Sequence, residues 1–307
     1  MTPFPLEGLP ERVTIYEVGP RDGLQNEKAI VSVADKAEFI ARLADAGLRT
    51  IEATSFVHPK WVPQLADAEE LLGGMTRAEG VRYPVLVPNE RGLDRALASG
   101  VTEIAVFGSA TESFARRNLN RTIDESLAMF APVVGRAREA GLWVRAYVSM
   151  CFGDPWEGEV PIEQVVSVAV RLMELGCSQL SLGDTIGVGT PGHVTALIEA
   201  LIEAGIGVDR LAVHFHDTYG QALANTLAAL RCGVTVVDAS AGGIGGCPYA
   251  ESATGNLATE DLVWMLHGLG IETGVDLPKL AAVSRWMAAR LGRPSPSRVV
   301  QALSSKD

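Results

Sequence analysis

The chain has 307 residues, of which 47% are hydrophobic, 21% charged and 6% aromatic, enough apolar material for a large core and too much for a disordered chain. Its 26 basic against 37 acidic residues give a net charge of −11, which excludes nucleic acid and an anionic membrane as broad-surface partners but leaves room for a small anionic substrate held by local charges. No stretch approaches the roughly 18 consecutive apolar residues of a membrane span, residues 1–12 carry no basic-then-apolar leader, and the four cysteines (Cys151, Cys177, Cys232, Cys247) form no CxxC pair, so a cytoplasmic protein without a disulfide framework is expected.

In chain order, eight short apolar runs read as strands, over residues 13–19, 50–56, 83–88, 103–109, 144–150, 179–184, 210–216 and 236–240. A glycine suited to a helix C-cap precedes six of them: Gly47, Gly100, Gly141, Gly176, Gly205 and Gly233. The amphipathic stretches between the runs open on plausible caps, among them Ser32 with Asp35, Thr122 with Glu125, and Thr190 before Pro191. No low-complexity run or Pro/Ser-rich linker interrupts this rhythm, so a single catalytic domain over 1–307 is expected, with a barrel at about 13–270 and a short helical extension at about 271–307. Strict strand and helix alternation is the pattern of an α/β protein with a (β/α)8 TIM barrel, although a doubly wound open sheet resembles it. Polar residues favour the barrel. Glu17, Arg21, Asp22, Asn89, Ser149, Asp184, His214 and His216 fall at or just past strand ends, with Glu52 slightly earlier in its run, and in a barrel those ends share one mouth.

The sharpest chemical signal is His214-Phe215-His216, because side chains two apart on a strand share a face and both imidazoles can meet one ion. Two hydrogen-bonded polar residues give the same pattern. Asp22 follows the first strand in a Gly-Pro turn and adds a carboxylate, or else bonds its own backbone as turn aspartates do; Arg21 beside it is a site cation or a solvated charge. Two imidazoles, a carboxylate and an amide oxygen would suit octahedral Mg²⁺ or Mn²⁺. Schiff-base and carbamate chemistry need a lysine inside the barrel, yet Lys28, Lys36, Lys60, Lys279 and Lys306 all lie off the candidate strands. The run Gly242-Gly243-Ile244-Gly245-Gly246-Cys247-Pro248 lacks the spacing of a phosphate loop and reads as a lid, with Cys247 as a candidate acid or base or an ordinary loop residue.

Residues 19–27 (GPRDGLQNE), 54–57 (TSFV) with 59–64 (PKWVPQ), 181–187 (SLGDTIG), 214–220 (HFHDTYG) and the Cys247 loop together resemble the 3-hydroxy-3-methylglutaryl-CoA lyases, metal-dependent barrels of the DRE-TIM superfamily, across about residues 13–276. The resemblance implies a TIM barrel using Mg²⁺ or Mn²⁺ that cleaves its acyl-CoA substrate to acetyl-CoA and acetoacetate, in leucine degradation and ketone body formation. It implies metal ligands at Asp22, His214, His216 and Asn256, and catalytic roles for Arg21, Asp22, Glu52, His214 and Cys247. A substrate pocket of Arg21, Gln25, Tyr147 and Asp184 follows from it, as does a homodimer. His58, Met150-Cys151 and Asp154 depart from the family pattern without removing a proposed ligand, and residues 304–307 lack the peroxisomal tripeptide of some members. A condensing synthase joining acetyl-CoA to a 2-oxo acid shares the Asp, Arg and His-x-His, but the continuation 217–221 (DTYGQ) and the Cys247 loop favour the lyase. A non-catalytic acyl-CoA sensor would have no need of a full ligand set. A lyase for a longer branched 3-hydroxyglutaryl-CoA is the remaining alternative.

Overall fold

The computed structural model describes residues 2–246 and 255–305. Its αβ joints are closed by the six expected glycines, whose φ angles run from 66° to 106°. After each, the chain returns an N–H five residues back, as from Leu142 to the Ala137 carbonyl at 2.9 Å and from Ile206 to Leu201 at 3.0 Å. These left-handed caps end the helices and turn the chain into the next strand.

The strands are β1 (Thr14–Glu17), β2 (Thr50–Ile51), β3 (Thr54–Ser55), β4 (Val85–Leu86), β5 (Glu103–Ser109), β6 (Trp143–Ser149), β7 (Gln179–Asp184), β8 (Leu211–Phe215) and β9 (Val236–Ala239). All pairings between them are parallel, in the order β2-β1-β9-β8-β7-β6-β5-β4-β3. Segments β2 and β3 are two halves of the expected run 50–56. Between them the Glu52 N–H donates to Glu17 on one side and the Ala53 N–H to Pro84 on the other, both at 2.9 Å. The nine segments therefore make eight strands, and the sheet closes on itself as a barrel. Pro84 has no N–H to give, which interrupts the ladder there and shortens both neighbours of that edge.

Around the barrel lie α1 (Val33–Asp45), α2 (Ala68–Gly74), α3 (Glu90–Ala98), α4 (Glu112–Leu119), α5 (Ile123–Glu139), α6 (Ile162–Glu174), α7 (Pro191–Glu203), α8 (Ala222–Arg231) and α9 (Thr259–Gly268), followed by α10 (Leu277–Leu291) and α11 (Arg298–Ser304). Ser32 caps α1 by accepting the Asp35 N–H, and Thr122 forms a full capping box with Glu125. Thr190 makes no side-chain cap, so Pro191 opens α7 without one. No helix among the described residues is long and apolar enough to cross a membrane.

The apolar core fills the layer between sheet and helices, where Val144, Ala146 and Val148 of β6 point outward. Alternation turns Arg145 and Tyr147 of the same strand inward. Barrel interiors are usually filled by branched aliphatic side chains; this one holds Tyr16, Glu52, Arg145, Ser181 and Asp238, each at most 1% exposed. Lys36, the buried lysine among the described residues, lies outside this interior and pairs with Asp67 at 2.7 Å.

Candidate active site

At the mouth, β1 runs into Gly19–Gly23, a single wide turn closed by the Gly23 N–H on the Val18 carbonyl at 3.0 Å. Such five-residue closures concentrate at functional sites because they re-aim consecutive side chains. Here the turn carries Arg21 and Asp22. The Arg21 Nε donates to Glu52 Oε2 at 2.8 Å and its Nη1 to Asp22 Oδ1 at 2.7 Å. Tyr147 donates its hydroxyl to the same Glu52 oxygen at 3.0 Å, and the guanidinium carbon lies 5.3 Å from the Tyr147 ring centre. Nε and Nη1 are thus committed, and Nη2 has no protein partner among the described residues.

At the end of β8 the His214 and His216 rings sit 5.3 Å apart. Asn256 reaches them through the backbone: it forms an antiparallel bridge with His216, while the Leu257 N–H donates to the Phe215 carbonyl at 3.0 Å. Its Nδ2 donates to Asp22 Oδ2 at 2.9 Å and to the Ile244 carbonyl at 3.2 Å. One ligand atom from each of Asp22, His214 and His216 falls within 4.8 Å of the other two. His216 Nδ1 and Asn256 Oδ1 are buried without a partner, whereas most buried polar atoms have one. Acceptor atoms left unmatched beside a carboxylate fit a cation, and a nitrogen and oxygen set without sulfur fits a hard divalent one.

The electrostatics of Asp22 and His216 agree with that donor set. Burial alone would raise Asp22, but the Arg21 guanidinium and both imidazoles outweigh it and hold the carboxyl down at about 2. Burial and the neighbouring His214 push His216 down to about 4, which keeps it a neutral donor. Burial also works against charge on His214, yet Asp238 and Asp22 prevail and raise it. Glu52 is raised because burial exceeds the attraction of Arg21.

The turn, strand end and bridge thus bring Arg21, Asp22, Glu52, Tyr147, His214, His216 and Asn256 together. Asp184 sits apart in its bonding: both carboxylate oxygens accept N–H groups of its own loop, from Val188 and Gly189 at 2.9 Å each, and burial raises it to about 6. Gln25 is half-buried just past the wide turn. Cys247 lies outside the described residues. Two residues that sequence reasoning passed over join the site from beneath, Arg145 and Asp238, paired at 2.5 Å with neither side chain exposed. Their signal was a charge in the middle of an apolar strand, on the same face as Tyr147.

Comparison with known proteins gives one answer. The HMGL-like family model matches residues 12–287. The cytoplasmic 3-hydroxy-3-methylglutaryl-CoA lyase of Rattus norvegicus is 52% identical over 97% of this chain and 86% of its own length. The mitochondrial hydroxymethylglutaryl-CoA lyase of the same animal is 54% identical over 96% and 90%. The crystal structure of hydroxymethylglutaryl-CoA lyase from Pseudomonas aeruginosa superposes with a TM-score of 0.95 at 50% identity, covering 98% of this chain and 100% of that one. The chain belongs to the HMGL-like family, that of the hydroxymethylglutaryl-CoA lyases.

Proposed function

We propose that this protein cleaves 3-hydroxy-3-methylglutaryl-CoA to acetyl-CoA and acetoacetate. The observation that carries the reading is a guanidinium fixed by two carboxylates beside a four-residue nitrogen and oxygen donor set in one barrel mouth. Asp22, His214, His216 and Asn256 would hold Mg²⁺ or Mn²⁺. Bound there, the cation supplies Lewis-acid polarisation of the substrate oxygens.

In the reaction the C3 hydroxyl loses its proton, the C2–C3 bond breaks, C3 becomes the ketone of acetoacetate, and the bonding pair passes to C2 and the thioester oxygen. A proton then returns to C2. Arg21 binds the thioester oxygen through the nitrogen its carboxylate partners leave open, where negative charge grows as the bond breaks. Glu52 and Tyr147 hold that guanidinium still. Cys247 takes part in both proton transfers, accepting the hydroxyl proton as a thiolate and returning it to C2 as a thiol, in keeping with the catalytic role the family resemblance implies. Gln25 and Asp184 belong to the pocket wall in the same reading, Asp184 by shaping the loop after β7. The resemblance also supports a homodimer working in leucine degradation and ketone body formation, and cysteines without a CxxC pair support a reducing, cytoplasmic setting.

The test is turnover by the purified protein, followed as acetyl-CoA and acetoacetate. Cleavage is expected with Mg²⁺ or Mn²⁺, abolished by chelation and restored by either ion. Full turnover in rigorously metal-free protein would overturn the metal reading, and cleavage confined to a longer branched 3-hydroxyglutaryl-CoA would overturn the substrate.

A further inference from the structure

The buried ion pair beneath the mouth has no part in the reading above, yet it touches one of the proposed ligands. Asp238 sits on β9, beside His214 in the β8–β9 ladder. Its Oδ1 accepts from Arg145 Nη2 at 2.5 Å; its Oδ2 accepts from the Ser181 hydroxyl at 2.9 Å and lies 3.3 Å from His214 Nδ1. Arg145 is itself held, its guanidinium carbon stacking 3.8 Å from the Tyr16 ring centre. Side chains of β6 and β7 thus reach a carboxylate on β9, and the remaining contact of that carboxylate is the imidazole on β8, the strand between β7 and β9.

From this geometry we infer that Asp238 is a positioning residue: clamped by Arg145 and Ser181, it holds the proton of His214 on Nδ1 and so turns the lone pair of Nε2 toward Asp22 and the cation. An ionised carboxylate only accepts, so the imidazole nitrogen facing it must donate. Nε2, 4.0 Å from Asp22 Oδ2, is then left as the ligand atom. Carboxylates behind metal-bound histidines commonly fix tautomer and ring orientation in this way.

The inference rests on the reading of Asp22, His214, His216 and Asn256 as a cation site. Asp238→Asn tests it sharply because Arg145 is donor-only. The amide must turn its oxygen to Arg145 and its NH2 to Ser181 and His214, which forces the imidazole proton onto Nε2, the wrong nitrogen. Mn²⁺ affinity, read from the free-ion EPR signal at equilibrium, should fall roughly 10- to 100-fold while circular dichroism stays native. A folded Asp238→Asn protein that binds Mn²⁺ within a factor of two of wild type overturns the inference, because a purely structural Asp238 would change melting without changing affinity. If that variant does not fold, ¹⁵N-histidine NMR of the Mg²⁺-saturated wild type decides: an Nδ1-protonated His214 supports the assignment and an Nε2-protonated one overturns it. Wild type that binds no Mn²⁺ would instead sink the cation reading, and the tautomer would still be read from the NMR of the metal-free protein.

Discussion

Arg21 is useful as a cation only because its surroundings do not finish neutralising it. Glu52 and Asp22 occupy Nε and Nη1 and fix the plane of the guanidinium, so the remaining N–H groups are aimed before substrate arrives. Charge appears on the thioester oxygen only as the C2–C3 bond breaks, and a donor preorganised for that charge acts on the barrier more than on binding. Arg21→Met should lower kcat by about 10²- to 10³-fold with little change in KM; steady-state kinetics showing a loss confined to KM would reassign Arg21 to uniform substrate binding. Cys247→Ser replaces a thiol by a far weaker acid, and kcat should drop about 10²- to 10⁴-fold while Mn²⁺ affinity and circular dichroism stay as in wild type. Retention of most of kcat would remove Cys247 from the proton transfer. Residues that break an apolar run were legible in the sequence, which is why Arg21, Asp22, His214 and His216 stood out. Asn256 carries no such mark. Its amide reaches the site through a backbone bridge to His216, and tertiary pairing of that kind leaves no local signature. Asp238 does break the run 236–240, but what gives it a role is its pairing with Arg145, 93 residues away, and no local pattern announces that pairing.

The element that delivers Asn256 is built on both of its sides. Residues 240–246 and 255–258 run alongside each other, with the Ser240 N–H on the Leu257 carbonyl at 2.9 Å and the Thr259 N–H on Ser240 at 3.1 Å. The C-terminal extension, legible only as an appendage, buttresses this pair: Ser295 of the segment between α10 and α11 donates to the Gly242 carbonyl at 2.9 Å, and Ser284 of α10 donates to Glu260. Glu260 in turn accepts the Gly242 N–H at 2.9 Å. Close backbone approach makes Gly255 critical, because a Cβ there would stand 2.0 Å from the Gly245 carbonyl oxygen and 2.5 Å from that of Gly243. Backbone cannot rotate aside as a side chain can, so Gly255→Ala should cost about 1–3 kcal/mol of stability and weaken Mn²⁺ binding by displacing Asn256. Urea unfolding together with Mn²⁺ titration checks both; an unchanged affinity would mean that the bridge does not position the amide. The strands were readable to within a few residues because apolar runs and C-cap glycines are local signals. The gap at 52–53 was not, since it comes from Pro84 on the adjacent strand rather than from the run itself.

At the scale of the whole molecule, two buried carboxylates make stability depend on pH in an unusual direction. Glu17 accepts N–H groups from Gly19 and Ala241 at 2.8 Å each and the Thr259 hydroxyl at 2.7 Å, and burial raises it to about 7 despite those bonds. Glu260, also buried, is raised to about 8, in part by the nearby charge of Glu17. Unfolding returns both to ordinary values near 4.5, so between those limits the folded state binds more protons than the unfolded one. By linkage, their contribution is fully present below about pH 4.5 and is lost as pH rises through 7 and 8. Asp22 works in the opposite sense, being depressed to about 2, but its window lies in acid and does not offset the neutral range. Glu260→Gln removes one of these titrations while keeping an oxygen for the Gly242 N–H. The variant should be less stable than wild type at pH 5, and its deficit should shrink toward pH 8 with a slope of at most about 1.4 kcal/mol per pH unit. Urea unfolding at intervals across that range measures the difference directly. A deficit that stayed constant with pH would mean that Glu260 titrates alike folded and unfolded, and that the turn beneath the active-site mouth is held by hydrogen bonding alone.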